Sequence, residues 1–538
     1  MSRLLTFACL LLAVPVLGVL GSWVGLDAAS LQVLRHQFDT VLPEYALNSL
    51  LLASTVAVGV ALLGGATAAL VALFDFPLRR VFEWALLLPL AMPAYVLAYA
   101  ATDFLQYSGP LQAGLRAWTG ATGALWPDVR SLWGAAGMFV LCLYPYVYLL
   151  TRAALSERAV PLMEAARLLG ASTARRVREV ALPLARPALA AGVALALMET
   201  LADYGVGAYF GLSTFTTGIY KAWLVMYDRD AAAQLASLLL VLVALLLWVE
   251  QRAQNRLRFS ASRSGAVHAA EARFIPLRGA QAALAVLVCA LPVLLGFVLP
   301  VLVLLRMAWL EAANAEVGLP MARFAGWAWT SFKLAGMAAL LATGVALLLG
   351  FALRLRGSAA LRLAARVVSL GYAVPGAVIA VGILLPVGWL QERFPHWGSA
   401  ALVTGTLFGL MYAYLVRFSA VALQSVEAGY ARVPPSIDET ASLLGASRRR
   451  LFVELHAPLL RRAGLAAMLL VFVDVMKELP ATLVLRPFNS DTLAVVAYQL
   501  ARDERLAEAA LPSLAIVLVG LLPVVLLSRS MRPDAAGQ

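Results

Sequence analysis

Long apolar runs separated by short polar segments dominate the chain. The runs last about 20 residues and lack the period-two alternation of membrane β-strands, so they predict transmembrane helices. A helix also satisfies its own backbone hydrogen bonds in hydrocarbon. We predict an all-α polytopic membrane protein with about 12 transmembrane helices. The predicted spans lie near residues 4–25, 45–74, 84–104, 132–152, 187–205, 231–250, 280–309, 328–353, 367–390, 400–423, 463–481 and 509–528.

The composition supports this class. Of the 538 residues, 62% are hydrophobic and only 13% are charged, whereas soluble domains carry about 25% charged residues. The three cysteines lie inside apolar runs and act as small hydrophobic residues, and the four histidines are scattered without ligand spacing. No metal site is therefore assigned. These residues are Cys9, Cys142 and Cys289, and His36, His268, His396 and His456.

A net charge of +12 is typical of proteins that bind nucleic acids. The basic residues, however, lie in short loops and at the ends of the predicted spans, as the positive-inside rule describes. We therefore predict no nucleic-acid partner, and we place both termini and the most basic loops in the cytoplasm.

One basic segment occurs twice. Residues 164–183 return 275 positions later as residues 439–458, each time between apolar runs. Six spans on each side of a polar, basic linker give two parallel repeats. We predict a first six-helix module at 1–250, a linker at 251–279 and a second six-helix module at 280–538.

Upstream of the repeated segment, the separation between the copies is 282. Asn48-Ser49 resembles Thr330-Ser331, and Pro93 matches Pro375. Loop insertions explain the change in separation.

Each copy of the repeated segment predicts a short helical hairpin. We expect a glycine to end the first helix in the left-handed conformation, a serine to cap the second helix, and a proline to close it. An alternative is an amphipathic hairpin resting on membrane lipid, with Arg175, Arg176 and Arg178 on the phosphates. The shaping residues are Gly170, Ser172 and Pro183 in the first copy, and Gly445, Ser447 and Pro458 in the second.

The hairpins resemble the EAA loop of the permease subunits of binding-protein-dependent ABC importers. That loop runs E-A-A, three residues, G, nine residues and I-x-L-P, and here it spans residues 156–186 and 427–462. The second copy departs from the pattern at Thr440, Leu455 and Ala457. The matching residues are Glu164, Ala165, Ala166, Gly170, Leu182 and Pro183, and then Glu439, Ala441, Gly445 and Pro458.

This resemblance implies a multi-pass protein of the bacterial cytoplasmic (inner) membrane. Its partners would be two copies of a cytoplasmic ATPase, one for each hairpin, and an extracytoplasmic solute-binding protein. Lys221, Lys333 and Lys477 follow Tyr, Phe and Met, so none completes the Walker A pattern G-x-x-x-x-G-K-[ST]. We therefore expect a transport subunit without enzymatic activity or cofactor, with ATP used by the partner.

Residues 198–224 and 477–514 are similar to the ferric-iron permeases, which implies import of iron(III). Permeases for thiamine and for phosphonates share the length and the two EAA loops, so they remain alternatives. A proton-coupled secondary transporter is the alternative from a different class. It would leave the two hairpins unexplained.

Four carboxylates are candidate translocation-pathway residues. Glu199 and Asp203 are spaced i, i+4, and Asp474 and Glu478 repeat them 275 positions later. This spacing predicts that each pair shares one helix face, where hard oxygen ligands would attract a trivalent cation. The alternative is that these acids lie at the ends of the spans and pair locally, for instance with Lys477.

Overall fold

The computed structural model describes residues 2–24, 28–156, 160–261, 274–314, 321–356, 358–431 and 433–530. Within these ranges the chain is helical except for turns and one parallel strand pair, in which Phe74–Asp75 contacts Ile275–Pro276. The predicted all-α class is confirmed.

The first half of the chain carries thirteen described α-helices. They are α1 (Ser2–Gly21), α2 (Ala28–Asp39), α3 (Leu42–Leu73), α4 (Arg79–Ala85), α5 (Ala94–Leu105), α6 (Pro110–Thr119), α7 (Leu132–Ala154), α8 (Val160–Leu168), α9 (Thr173–Arg176), α10 (Leu182–Ala202), α11 (Gly205–Tyr209), α12 (Phe215–Tyr220) and α13 (Arg229–Ala261).

The second half carries fourteen more within the described ranges. They are α14 (Ala280–Val293), α15 (Leu299–Asn314), α16 (Met321–Arg356), α17 (Ala359–Leu370), α18 (Gly376–Arg393), α19 (Ser399–Thr404), α20 (Leu407–Tyr430), α21 (Pro435–Leu443), α22 (Arg448–Arg450), α23 (Ala457–Leu459), α24 (Arg461–Met476), α25 (Pro480–Leu485), α26 (Leu493–Arg502) and α27 (Leu506–Ser530).

Eight helices of the described chain are long and apolar enough to cross a membrane, and the number reaches ten if each of two bent helix pairs forms one span. These ten elements coincide with ten of the predicted spans. The remaining two predicted spans, near 4–25 and 463–481, coincide with shorter helices: the apolar part Leu5–Gly21 of α1, and the 16-residue α24.

The two bent pairs occupy equivalent places in the repeat. Arg79–Ala91 meets Ala94–Thr119 at 91°, and Ala359–Ala373 meets Gly376–Arg393 at 119°. Pro93 and Pro375 stand immediately before the second helix of each pair in an extended conformation. A proline at this position cannot donate the backbone hydrogen bond that would continue the preceding helix. The matched prolines therefore mark the two bends.

The chain forms two compact units, and each unit draws on both halves of the sequence. One unit comprises Met1–Asp39, Gly218–Leu240 and Pro320–Val496. Its helices α16, α20 and α24 pack against one another, and α1 packs along α17 and α18. Ser331 Oγ accepts a hydrogen bond from the Leu493 amide at 2.8 Å.

The other unit comprises Thr40–Thr217, Val241–Leu319 and Ala497–Gln538. Its helices α3, α7 and α10 form the equivalent packed group, and α15 packs against α27. Ser49 Oγ accepts from the Phe215 amide at 3.1 Å, which is the counterpart of the Ser331 bond. The Asn48-Ser49 and Thr330-Ser331 match therefore has a structural basis.

The module boundaries predicted at 250 and 280 describe the sequence repeat, whereas the compact units combine segments from both sides of the linker. Helix α13 continues to Ala261, so the beginning of the predicted linker is helical. Residues 262–273 of that linker, 157–159 and 432 of the EAA loops, and 531–538 of the C-terminus lie outside the described residues.

Candidate functional site

The first hairpin is formed by α8 and α9. The Gly170 amide donates to the carbonyl of Arg167 at 3.0 Å, and the Ala171 amide donates to the carbonyl of Ala166 at 3.0 Å. This pair of bonds is the Schellman arrangement that ends a helix, and it needs a left-handed residue. Gly170 has φ +81°, and Ser172 Oγ accepts from the Arg175 amide to cap α9.

The second hairpin repeats this geometry in α21 and α22. Gly445 has φ +78°, and its amide donates to the carbonyl of Ser442 at 3.1 Å, while the Ala446 amide donates to the carbonyl of Ala441 at 3.0 Å. Ser447 Oγ accepts from the Arg450 amide at 3.3 Å. The predicted glycine stops and serine caps are confirmed in both copies, and alanines of the EAA pattern supply carbonyls to both turns.

A leucine pair forms the uncovered tip of each hairpin. Leu168 and Leu169 are 85% and 88% exposed, and Leu443 and Leu444 are 88% and 82% exposed. Each pair lies immediately before the left-handed glycine. Four apolar side chains held out by two matched turns fit the recognition of a groove on a partner.

The charges on the hairpins are repeated in part. Arg175 pairs with Glu179 at 2.9 Å, and Arg450 pairs with Glu454 at 2.7 Å, at equivalent positions. Such exposed pairs contribute little to stability. Glu164 pairs with Arg167 at 3.2 Å, whereas the position equivalent to Arg167 is occupied by Ser442. Glu439 is exposed. The two hairpins therefore differ in charge.

The prediction that Pro183 closes the second helix of the hairpin is wrong. Residues Thr173–Ala202 form one continuous helical segment, in which a π-helical turn at Val177–Ala181 precedes Pro183. Such a turn changes the hydrogen-bond register where a proline lacks its donor. In the second copy the helix breaks at Leu460, two residues after Pro458. The first hairpin therefore continues into α10 without interruption, whereas a break at Leu460 separates the second hairpin from α24.

The prediction that each acidic pair shares one helix face is also wrong. Glu199 lies in the last turn of α10, which ends at Ala202, so Asp203 lies beyond the helix. Its Oδ1 accepts a hydrogen bond from the Val206 amide at 2.8 Å and caps α11. A carboxylate is well suited to the donor-rich start of a helix.

The second acidic pair follows the same plan. Asp474 lies near the end of α24 and pairs with Lys477 at 3.3 Å, as the local-pairing alternative expected. Glu478 lies beyond α24 and accepts hydrogen bonds from the amides of Ala481 at 2.8 Å and Thr482 at 2.9 Å. The second acid of each pair thus accepts hydrogen bonds from the first turn of the next short helix.

Glu478 has a further partner that the sequence analysis missed. Its side chain is only 2% exposed, and its Oε1 lies 3.5 Å from Nη1 of Arg417 on α20. A Cβ at Gly376 would lie 3.0 Å from both groups, so a glycine permits this close packing. In the sequence, this partner could have been found from Arg417, the single arginine inside the apolar run 407–423. Of the four acids only Glu478 is buried, whereas Glu199, Asp203 and Asp474 are partly exposed.

We expect Glu478→Gln to destabilise the protein by about 3 kcal/mol, because it leaves the buried Arg417 cation without its counter-charge. Thermal unfolding in detergent measures this effect. Asp474→Asn is the matched control, because the Asp474 carboxylate and the Lys477 ammonium are only partly buried and the loss should be small. Equal melting temperatures for the Glu478→Gln variant and the unmodified protein would contradict the structural role of the pair.

An all-helical membrane protein with two matched, leucine-tipped hairpins has the architecture of a transport permease. The chain carries a permease domain of the binding-protein-dependent ABC importers, as the predicted resemblance implied. Residues 61–259 match the family described as binding-protein-dependent transport system inner membrane component. Permeases of this family are transport components that work with an ATPase and a binding protein.

Three relatives illustrate the range of this family. The chain is 26% identical over 495 residues to the Fe(3+)-transport system permease protein FbpB 2 of Haemophilus influenzae, covering 91% of each chain. It is 30% identical over 159 residues to the putative 2-aminoethylphosphonate transport system permease protein PhnV of Salmonella typhimurium, covering 29% of this chain and 56% of the relative. It is 28% identical over 182 residues to the molybdenum transport system permease protein ModB of Haemophilus influenzae, covering 32% and 76%.

Proposed function

We propose that this permease imports iron(III), delivered by an extracytoplasmic binding protein and driven by ATP hydrolysed in a separate subunit. The pair of hairpins is the observation that supports the ATPase coupling. Similarity over almost the full length to an Fe(3+) permease supports the substrate, whereas the phosphonate and molybdenum permeases match only about a third of the chain. Two ATPase copies bind, one on each leucine-tipped hairpin. The coupling residues remain those of the EAA pattern, including Glu164, Ala165, Glu439, Pro183 and Pro458.

We also propose that the cargo passes between the two repeats. Asp203 and Glu478 accept hydrogen bonds from backbone amides of the next helix, so the partly exposed Glu199 and Asp474 are the better candidates for transient contact with a cation. Among the described residues, no group of three His, Cys, Asp or Glu side chains is arranged to hold a metal ion. A weak, transient path suits a transporter that must release its cargo.

Transport into vesicles tests the proposal. The chain is reconstituted with its ATPase, and uptake of radiolabelled iron(III) on the matching binding protein is measured with ATP on the hairpin side. We expect ATP-dependent iron uptake. Uptake of labelled 2-aminoethylphosphonate or thiamine without iron would overturn the substrate. Uptake driven by a proton gradient without ATP would overturn the ABC mechanism in favour of a secondary transporter.

The orientation gives a second prediction. Both hairpins and both termini lie in the cytoplasm, and the turn 486–491 lies outside. In a variant without the three buried native cysteines, Ser442→Cys should react with a membrane-impermeant maleimide only after the membrane is opened. Phe488→Cys, at a side chain that is 97% exposed, should react in intact cells. Reaction of both from the same side would contradict this topology.

A further inference from the structure

A buried polar cluster ties the second hairpin to the rest of its compact unit. Asp438, on α21, lies between two cationic or protonatable groups. Its Oδ2 accepts a hydrogen bond from Nε of Arg354, near the end of α16, at 2.7 Å. Its Oδ1 lies 3.0 Å from Nε2 of His456, which ends the π-helical turn after α22. One carboxylate thus joins both arms of the hairpin to a transmembrane helix.

The three side chains of this cluster are largely buried. The side chain of His456 is fully buried, and those of Arg354 and Asp438 are 17% and 15% exposed. The His456 ring packs against Phe351 and Tyr430, with ring centroids at 5.1 Å and 5.5 Å. Arg354 also donates to the Val433 carbonyl at 2.8 Å, on the segment that enters the hairpin.

In the first hairpin and its neighbouring helix, apolar residues occupy the three equivalent positions. At the separation of 275, Asp438 corresponds to Met163 and His456 to Ala181, and at the upstream separation of 282, Arg354 corresponds to Ala72. These three counterparts belong to a single buried cluster. Its members are Ala72, Leu73, Leu155, Met163, Ala181 and Ala185.

We propose that Arg354, Asp438 and His456 form an ionic joint that positions the second hairpin for force transmission, whereas an apolar joint positions the first. This inference rests on the proposed coupling to an ATPase and goes beyond it, because it assigns residues outside the docking surface. The three residues are positioning residues: they act through the hairpin and do not contact the cargo. The two ATPase contacts then respond differently to charge and to pH.

The charges around His456 set the direction of the pH response. Burial lowers the pKa of His456, and the guanidinium of Arg354 acts in the same direction, while the carboxylate of Asp438 offsets part of the effect. Tyr430 is the other titratable group against the ring. Because the pKa of His456 is lower in the folded protein than in the unfolded chain, the fold stabilises the neutral imidazole. Its contribution is present above the ordinary pKa of 6.5 and is lost as the pH falls through that value toward the lower folded pKa.

The apolar joint carries no such dependence. The buried members of the cluster around Met163 carry no titratable group, and their contribution comes from buried apolar area. Acidification should therefore loosen the second hairpin and leave the first unchanged. The first hairpin is an internal reference in the same molecule.

Three variants of the full chain, reconstituted with its ATPase and binding protein, test the ionic joint. Asp438→Asn removes the counter-charge of Arg354 and should lower the iron(III) transported per ATP about tenfold or more at neutral pH. The triple variant Arg354→Ala, Asp438→Met, His456→Ala gives the second hairpin the residues of the first and should recover most of that coupling. Glu392→Gln removes an exposed charge that lies outside both hairpins and should leave coupling unchanged.

Hydrogen exchange gives the second readout. Deuterium uptake of residues 435–456, relative to 162–181 and corrected for intrinsic exchange, should rise between about pH 7.5 and about pH 5.5 in the unmodified protein but not in the triple variant. Coupling unchanged by Asp438→Asn, or equal losses in the single and triple variants, would overturn the ionic joint. If the ATPase also stays bound after both leucine tips are removed, the docking proposal itself fails. If removing the tips releases the ATPase, only the joint is overturned.

Discussion

Replacing the leucine pair at either hairpin tip by serine should release the ATPase while leaving the membrane fold intact. All four side chains are more than 80% exposed, so the fold gains almost nothing from them. Burial of each leucine in a partner groove contributes about 1.5–3 kcal/mol, so losing a pair should weaken ATPase binding roughly hundredfold or more. The variants are Leu168→Ser with Leu169→Ser, and Leu443→Ser with Leu444→Ser.

Retention of the ATPase during purification, and its dissociation constant in detergent, measure this effect. Phe488→Ser is the matched control, because it removes an equally exposed apolar side chain from the turn that we place on the opposite face of the membrane. It should leave ATPase binding unchanged. Normal binding by both leucine variants would mean that the hairpins are not the docking elements.

Replacing Gly170 or Gly445 by valine should uncouple ATP hydrolysis from transport. A Cβ added at either glycine would meet no neighbouring atom within 4 Å, so a side chain fits sterically and the cost lies in the backbone. Their φ angles of +81° and +78° suit glycine, whereas a β-branched residue there costs about 1–3 kcal/mol. The turn should relax and displace the adjacent leucine pair, so that hydrolysis continues without productive movement.

Asparagine separates this backbone effect from the mere presence of a side chain. Gly170→Asn and Gly445→Asn add polar side chains that tolerate the left-handed conformation, so they should retain most coupling. Transport and ATPase rates measured in the same vesicles give the ratio. Because the two hairpins differ in charge and in their joints, we expect unequal losses. Full transport by both valine variants would contradict a positional role for the turns.

Local chemistry explains why the hairpin turns could be predicted. A glycine two residues before a serine, after a helical segment with two leucines, combines a helix stop with a helix start. Both functions depend on neighbours in sequence. Gly170, Ser172, Gly445 and Ser447 therefore take the conformations that their residue types indicate.

The failures have two causes, which are competition from the start of the next short helix and dependence on residues distant in sequence. The i, i+4 spacing of Glu199 and Asp203 predicted one helix face, but the start of the next short helix captures the second carboxylate. Glu478 is likewise held by Arg417, about 60 residues earlier in the chain. The combination of segments from both halves in each compact unit is equally invisible to periodicity, because an apolar helix face does not specify its partner.

Because α16 is longer than the membrane is thick, it connects the ionic joint to the opposite membrane surface. The helix has 36 residues, which corresponds to about 54 Å, against a hydrocarbon thickness of about 30 Å. Arg354 lies close to one end of this rod. A tilt of about 10° around the middle would carry each end sideways by about 5 Å. The second hairpin is bonded to that end. A small sideways displacement of the hairpin at one membrane surface would therefore move the other end of α16 by an equal distance in the opposite direction.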